Sequence, residues 1–284
     1  MPLTDALTPD ALLEAKAARP DRRARDLATS LGVSEGALVA AAVGRGATRL
    51  APHPNDLMPA VATLGEVMAL TRNESAVHER IGTYQEYHPG DHATMVLGPE
   101  IDLRMFPKHW AHAFAVVEEG ESGVKRSVQV FDAAGDAVHK VHLKPASDVA
   151  AFERLVADLA TGDERRDFAA EPRTPPEGAK LREDKMDLLR REWDRMTDTH
   201  QFLRLVSKLK MNRLGAYRGA GAPYAEPLAP EAVSAMLEGA AAEGVEIMLF
   251  VGNAGCIQIH AGQVETIKPM GPWQNVLDPR FNLH

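Results

Sequence analysis

The chain has 284 residues, 45% of them hydrophobic, enough to bury a sizeable core in one large or two modest domains. Its formal charge of −8 counts against nucleic acid or an acidic membrane as the main partner. A single cysteine, Cys256, excludes an intrachain disulfide, and no apolar run approaches the roughly 20 residues that span a bilayer. With no apolar signal core at the N-terminus, the expected location is the cytoplasm.

In chain order, residues 11–16, 22–31 and 34–43 carry leucines and valines at helical spacing. From Glu66 the pattern turns to strand, first VMAL and then AVHERIGTYQEY with alternating character. Beyond Ile101 comes a meander of AFAVVEE, the turn GESG, KRSVQVF, the turn DAAGD and AVHKVHL. A helix over residues 147–159 closes this half, with Ser147 as its expected N-cap. Residues 161–184, TGDERRDFAAEPRTPPEGAKLRED, are rich in charge and proline and read as a linker. Helices are then expected around 184–195, 199–210 and 230–243, with strands from Glu246.

The two halves are related. EVMALTRNESAVHERIGTYQEYHPGDHATMVLGPEIDLR from Glu66 aligns without a gap to EIMLFVGNAGCIQIHAGQVETIKPMGPWQNVLDPRFNLH from Glu246, at an offset of 180. Nine of the 39 pairs are identical, and several are glycine or proline, whose backbone roles make them hard to exchange. The period is too long for a solenoid, so it implies a tandem duplication. The expected fold is α+β, each half an antiparallel sheet with packed helices, divided as residues 1–160, a linker at 161–183, and 184–284. The second copy is expected to be truncated: His284 aligns with Arg104, so the meander and closing helix have no counterpart.

One histidine stands at a junction. In MTDTHQF, His200 separates a charged helix, with Met186, Leu189 and Trp193 on one stripe, from QFLRLVSKLK, with Phe202, Leu205, Val206 and Leu209 at helical spacing. Thr197, Asp198 and Thr199 are capping residue types, which places His200 in the first turn of the second helix. The helix dipole there disfavours an added positive charge, which suits a metal ligand or general base as well as a histidine that merely packs or caps. Other histidine pairs fit metal chemistry less well. HWAH lacks the HExxH glutamate, and His139 and His142 on one strand point to opposite faces. No zinc spacing, GxSxG, P-loop or GxGxxG occurs.

The motifs ALTRNESAVHE, VLGPEIDLRMF followed by HWAHAFAV, VFDAAGDAVHKVHL, MTDTHQF, FVGNAGCIQIHAG and MGPWQNVLDPRFNLH resemble the bacterial cytoplasmic haemin transport and haemin-degrading factor family over nearly the whole chain. The resemblance implies a duplicated α+β protein that takes haem from an inner-membrane uptake transporter and carries it, some members also opening the ring with an external reductant. It implies His200 as axial ligand of the haem iron and Arg104 on the opposite face of the porphyrin as the catalytic arginine. Arg213 would lie near the propionates, Phe250 would pack on the ring, and His78 would be a second haem contact. Each has an ordinary alternative: Arg104 as a surface strand residue, Arg213 on a solvated helix, Phe250 in the core, and His78 exposed on a charged strand.

Two rival classes remain. RRARDLATSLGVSEGALVAAAVG reads as a helix–turn–helix with Gly32 at the turn and Arg19, Arg22, Arg23 and Arg25 alongside, which would suit a DNA-binding regulator. Residues 38–43, however, are nearly all alanine and valine and offer little to read base edges. The other class is an adaptor with no ligand.

Overall fold

The computed structural model describes residues 7–120 and 123–284, in two compact units. The larger runs to Pro172 and resumes over Met236–His284, while the smaller is Arg173–Ala235. The larger unit starts with three short helices, α1 (Pro9–Ala17), α2 (Ala24–Leu31) and α3 (Glu35–Ala40), followed by β1 (Ala47–Leu50) and α4 (Pro54–Ala62). Then come β2 (Val67–Arg72), β3 (Val77–Gly82), β4 (Tyr87–His88), β5 (Thr94–Leu97) and β6 (Asp102–Met105). The meander is β7 (His112–Gly120), β8 (Gly123–Phe131) and β9 (Ala137–Leu143), closed by α5 (Val149–Leu159). The smaller unit holds α6 (Met186–Asp194), α7 (Gln201–Lys208) and α8 (Arg213–Ala220). Helix α9 (Glu231–Glu243) leads into β10 (Ile247–Gly252), β11 (Cys256–Gly262), β12 (Ile267–Met270), β13 (Trp273–Leu277) and β14 (Phe281–Leu283).

The duplication is visible strand by strand, since β2 to β6 recur at the 180-residue offset as β10 to β14. Both copies contribute to both sheets. One sheet has the order β1-β7-β8-β9-β2-β3-β14-β13-β12, and the other β10-β11-β6-β5-β4. Strand β3 is therefore continued by β14 of the second copy, and β11 by β6 of the first. The registers match: Leu283 faces His78 across one junction and Leu103 faces Gln258 across the other, the same pairing shifted by 180. The turns meet reciprocally too. Asn73 Nδ2 donates to Gly252 O and Asn253 Nδ2 to Arg72 O, each at 3.0 Å. Each asparagine Oδ1 accepts two N–H groups of its own turn, from Ser75 and Ala76 or from Gly255 and Cys256. This is the Asx-turn chemistry that makes asparagine hard to replace there.

The main core lies among β2, β6, the meander and helices α4 and α5, with Leu57, Val67, Leu103, Met105 and Leu155 almost wholly enclosed. A buried charge cluster sits beside α3. Glu35, on that helix, takes Arg72 on one carboxylate oxygen and Lys140 on the other. Burial would raise the Glu35 pKa, but Lys140 and Arg72 outweigh it and hold the carboxyl below its usual range.

Several expectations change at this level. Asp148, not Ser147, caps α5 by accepting from Ala151 N at 2.9 Å; Ser147 Oγ instead accepts from Lys144 N and donates to Glu66 O. The helix–turn–helix reading fails on burial. Gly32 does make the left-handed turn (φ 69°) that ends α2. The next helix, however, is only six residues long, and Glu35, Gly36, Leu38, Val39 and Ala40 are all buried, so it cannot enter a groove. Arg25 is taken up by the carbonyls of Asn73 and Glu74. Part of the proline-rich segment is also packed, since Phe168 lies against the His112 ring at 4.5 Å.

Three histidines of this unit are held neutral. Burial pulls the pKa of His78 and His139 down to about 3 and that of His142 to about 4. An unfolded imidazole takes up a proton below about pH 6.5, whereas these cannot until far lower. Stability is therefore full above that pH and falls as the solution is acidified, by up to roughly 1.4 kcal/mol per pH unit for each ring. Denaturant titrations at pH 7 and pH 5 should show a marked loss of stability at pH 5, reduced when His142 is replaced by glutamine.

Candidate functional site

In the smaller unit, an aromatic cluster fixes the helices. Trp193 of α6 lies 4.6 Å from Phe202 and 5.5 Å from Tyr224, and Phe202 stacks on Tyr217 of α8 at 5.3 Å and 12°. Leu189, Leu205, Val206 and Leu209 complete this core, the apolar stripe expected of α6 and α7. Helix α8, whose bounds were not among the expected helices, is set by local chemistry. Asn212 caps it, its Oδ1 accepting from Gly215 N and Lys180 N. At Gly215 a Cβ would come within 2.0 Å of Lys180 O, so a glycine is needed at that approach. Arg190 closes the far end on Ala220 O.

His200 immediately precedes α7 and is open to solvent, its side chain 89% exposed. The turn that carries it is braced. Thr197 N donates to Gln201 Oε1 and Gln201 Nε2 donates back to Thr197 Oγ1, both at 3.2 Å. Asp198 Oδ1 accepts the His200 backbone N–H at 2.7 Å and lies 2.7 Å from ring Nδ1. The backbone N–H of His200, with its ring adding to it, holds the Asp198 carboxyl below its ordinary range. No hydrogen bond among the described residues involves Nε2.

The same unit also shows apolar and cationic side chains to solvent. Leu203, one turn further along α7, is 52% exposed, and Leu214 and Tyr217 of α8 are also exposed. Arg213, the first residue of α8, is exposed, and its side chain makes no hydrogen bond or ion pair among the described residues. An open imidazole nitrogen, apolar side chains and a free guanidinium together suit a flat apolar macrocycle that carries a metal and carboxylates. The donor set of this unit therefore fits haem.

The other three expected site residues belong to the larger unit. Arg104 lies on β6 opposite Ile257 and Met95, half-buried, with its guanidinium paired to Asp102 and donating to Leu103 O at 3.1 Å. Phe250 is 60% exposed on β10, not in the core. His78 is the reverse. Expected on an exposed strand, it is fully buried, edge-on to Phe281 at 4.9 Å, with neither ring nitrogen hydrogen-bonded. It lies mid-sheet on β3, between β2 and β14, where the sequence alternation alone could not place it.

A buried polar group that the sequence did not single out surrounds His139. Its Nδ1 lies 2.8 Å from Thr71 Oγ1 and its Nε2 2.6 Å from Tyr84 OH, with Trp110 stacked nearby and the Cys256 thiol at 4.0 Å. Burial pushes the Cys256 pKa up to about 12, so the thiol stays protonated. Both His139 nitrogens are satisfied inside the core, which makes this a structural network.

Comparison with known proteins follows the same lines. The model of the haemin-degrading HemS.ChuX domain matches residues 32–159 and 210–284. The chain belongs to this family. The haemin transport protein HmuS of Yersinia pestis is 40% identical over 273 residues, covering 96% of this chain and 79% of the relative. The crystal structure of holo-PhuS, a haem-binding protein from Pseudomonas aeruginosa, superposes with a TM-score of 0.89 at 46% identity, over 97% of this chain and 80% of that one. That of ChuS, an E. coli haem oxygenase, gives 0.80 at 34% identity, over 94% of this chain and 80% of that one. For this member of the family, the DNA-binding reading has no support.

The aromatic cluster is the scaffold beneath the His200 turn. Phe202→Ala removes its contacts with Trp193 and Tyr217 and should cost about 3–5 kcal/mol in this unit. Trp193 fluorescence followed through urea denaturation should show an earlier transition than in the wild type.

Proposed function

We propose that this chain binds haem as cargo, with His200 Nε2 as the axial ligand of the iron and Arg213 pairing with a propionate. The observation that carries this reading is the open, braced His200 ring, whose Nδ1 faces a carboxylate and whose Nε2 has no hydrogen-bond partner among the described residues. The family membership and the haem-binding and haemin-transport relatives support the ligand. Arg104 belongs to the larger unit, and for it to contact haem its guanidinium would have to be shared with or released from Asp102. Phe250 has the exposure to pack on a porphyrin, whereas the burial of His78 removes it from the surface reading.

Bound haem supplies an iron that takes an axial base and, with oxygen and electrons, the redox chemistry of ring opening. The chain's own residues hold and orient it: the imidazole donates its lone pair, and Arg213 donates charge-assisted hydrogen bonds. Arg104 would offer its guanidinium N–H groups as hydrogen-bond donors. No helix among the described residues is long and apolar enough to cross a membrane, which suits a carrier that receives haem from an inner-membrane transporter in the cytoplasm. Ring-opening monooxygenase activity is the second reading, favoured by the likeness to ChuS. With no flavin or nicotinamide fingerprint in the sequence, it would draw on an external reductant.

Haemin titration tests the binding reading. Wild type should give a sharp Soret band that His200→Ala weakens or shifts, and Arg213→Ala should weaken affinity at least roughly tenfold, as loss of a charge-assisted bond implies. An unchanged His200→Ala spectrum would overturn it. Aerobic ascorbate added to the complex distinguishes the two activities: a persistent Soret band identifies a carrier, and its decay to a linear tetrapyrrole identifies an enzyme.

A further inference from the structure

The turn that presents His200 also decides which of its nitrogens is available, and that choice is made by a residue outside the ligand set. We propose that Asp198 is a positioning residue: its carboxylate holds His200 in the Nδ1–H tautomer and directs the Nε2 lone pair outward to the metal. This rests on the haem-binding reading above and adds to it the device that prepares the ligand before haem arrives.

The geometry is specific. Asp198 Oδ1 sits 2.7 Å from the His200 backbone N–H and 2.7 Å from ring Nδ1, so one oxygen fixes both the main chain and the ring. An ionised carboxylate can only accept. A neutral imidazole facing it must therefore carry its proton on Nδ1 and leave Nε2 bare, the opposite of the tautomer a free imidazole prefers in water. The ring is also prevented from turning freely, because the backbone contact ties the same oxygen to the start of α7. The reciprocal Thr197–Gln201 bonds hold the turn from its other side, and Gln201 N donates to Asp198 O at 3.1 Å. Buried Phe202 anchors the next residue but one after the ring into the aromatic cluster.

A carboxylate on the remote nitrogen does two things for a metal-bound imidazole. It fixes the ring orientation, and it makes the ring a stronger donor, the usual role of outer-shell partners. Such partners are worth about 10- to 100-fold in metal affinity. Asp198 is exposed, so the lower end of that range is expected here.

The test begins with the protein alone. Long-range 15N–1H spectra of the ligand-free chain, recorded near pH 8.5, well above the ordinary imidazole range, should show His200 with its proton on Nδ1. In Asp198→Ala the ring should pass to a mixture dominated by Nε2–H, and in Asp198→Asn, which keeps an acceptor oxygen for the turn, the preference should be weakened. With haemin bound, Asp198→Ala should raise the dissociation constant about tenfold, as expected of an outer-shell partner. It should also raise the ferric–ferrous midpoint potential, because a less electron-rich imidazole favours the reduced iron. Wild-type tautomer, affinity and potential in Asp198→Ala would overturn the positioning role. The two readings fail separately. If His200→Ala binds haemin with an unchanged spectrum, the axial-ligand assignment falls. If His200→Ala loses the band while Asp198→Ala behaves as wild type, only the Asp198 inference falls. Circular dichroism of the Asn variant guards against loss of α7 being read as loss of the hydrogen bond.

Discussion

The larger unit depends on one constraint, the register in which each copy's strands complete the other's sheet. Side chains alternate faces along a strand, so a slip of one residue at either junction would turn every inward group outward. Leu103 and Met105 would leave the core, and His78 would come to the surface. The reciprocal Asn73 and Asn253 bonds pin the two hairpin turns against each other and so help to fix that register. The places of Arg104 on β6 and Phe250 on β10 follow from it.

The sequence made the duplication legible because the alignment is free of gaps and keeps Gly82, Pro89 and Pro99 as Gly262, Pro269 and Pro279. The meander was legible from alternation and turn residues. Strand partners were not. Alternation says which face of a strand is buried but not which strand lies beside it, and so neither the exchange of β6 and β14 nor the burial of His78 could be read. In VHERIG the charged neighbours Glu79 and Arg80 suggest an exposed strand, yet its central position encloses the histidine. The bounds of helix α8 were not legible because RLGAYRGA has two glycines and little apolar periodicity. Asn212, a good cap just before it, was the available signal.

The candidate site was legible only in part, for a related reason. His200 could be placed at a helix start from the capping residues around it, and the structure puts it there, just before α7. That Asp198 would face the ring as well as the backbone was not readable, since capping residue types say nothing about which further atoms they reach. The contrast among histidines is instructive. His78, His139 and His142 are kept neutral by enclosure, which makes them unavailable to a ligand. His200 stands in solvent with one nitrogen facing a carboxylate and the other without a hydrogen-bond partner among the described residues. Opposite environments thus give one side chain a structural use and a chemical one.

The strand exchange carries a further consequence. A polypeptide with a single copy of β2 to β6 could close neither sheet without a second molecule, and its fold would depend on its concentration. Joining both copies on one backbone turns that encounter into an intramolecular event at a high effective concentration. It also releases matched positions from having to remain alike. His78 and Gln258 occupy corresponding places, as do Arg104 and His284, and each member of a pair can be shaped by its own surroundings.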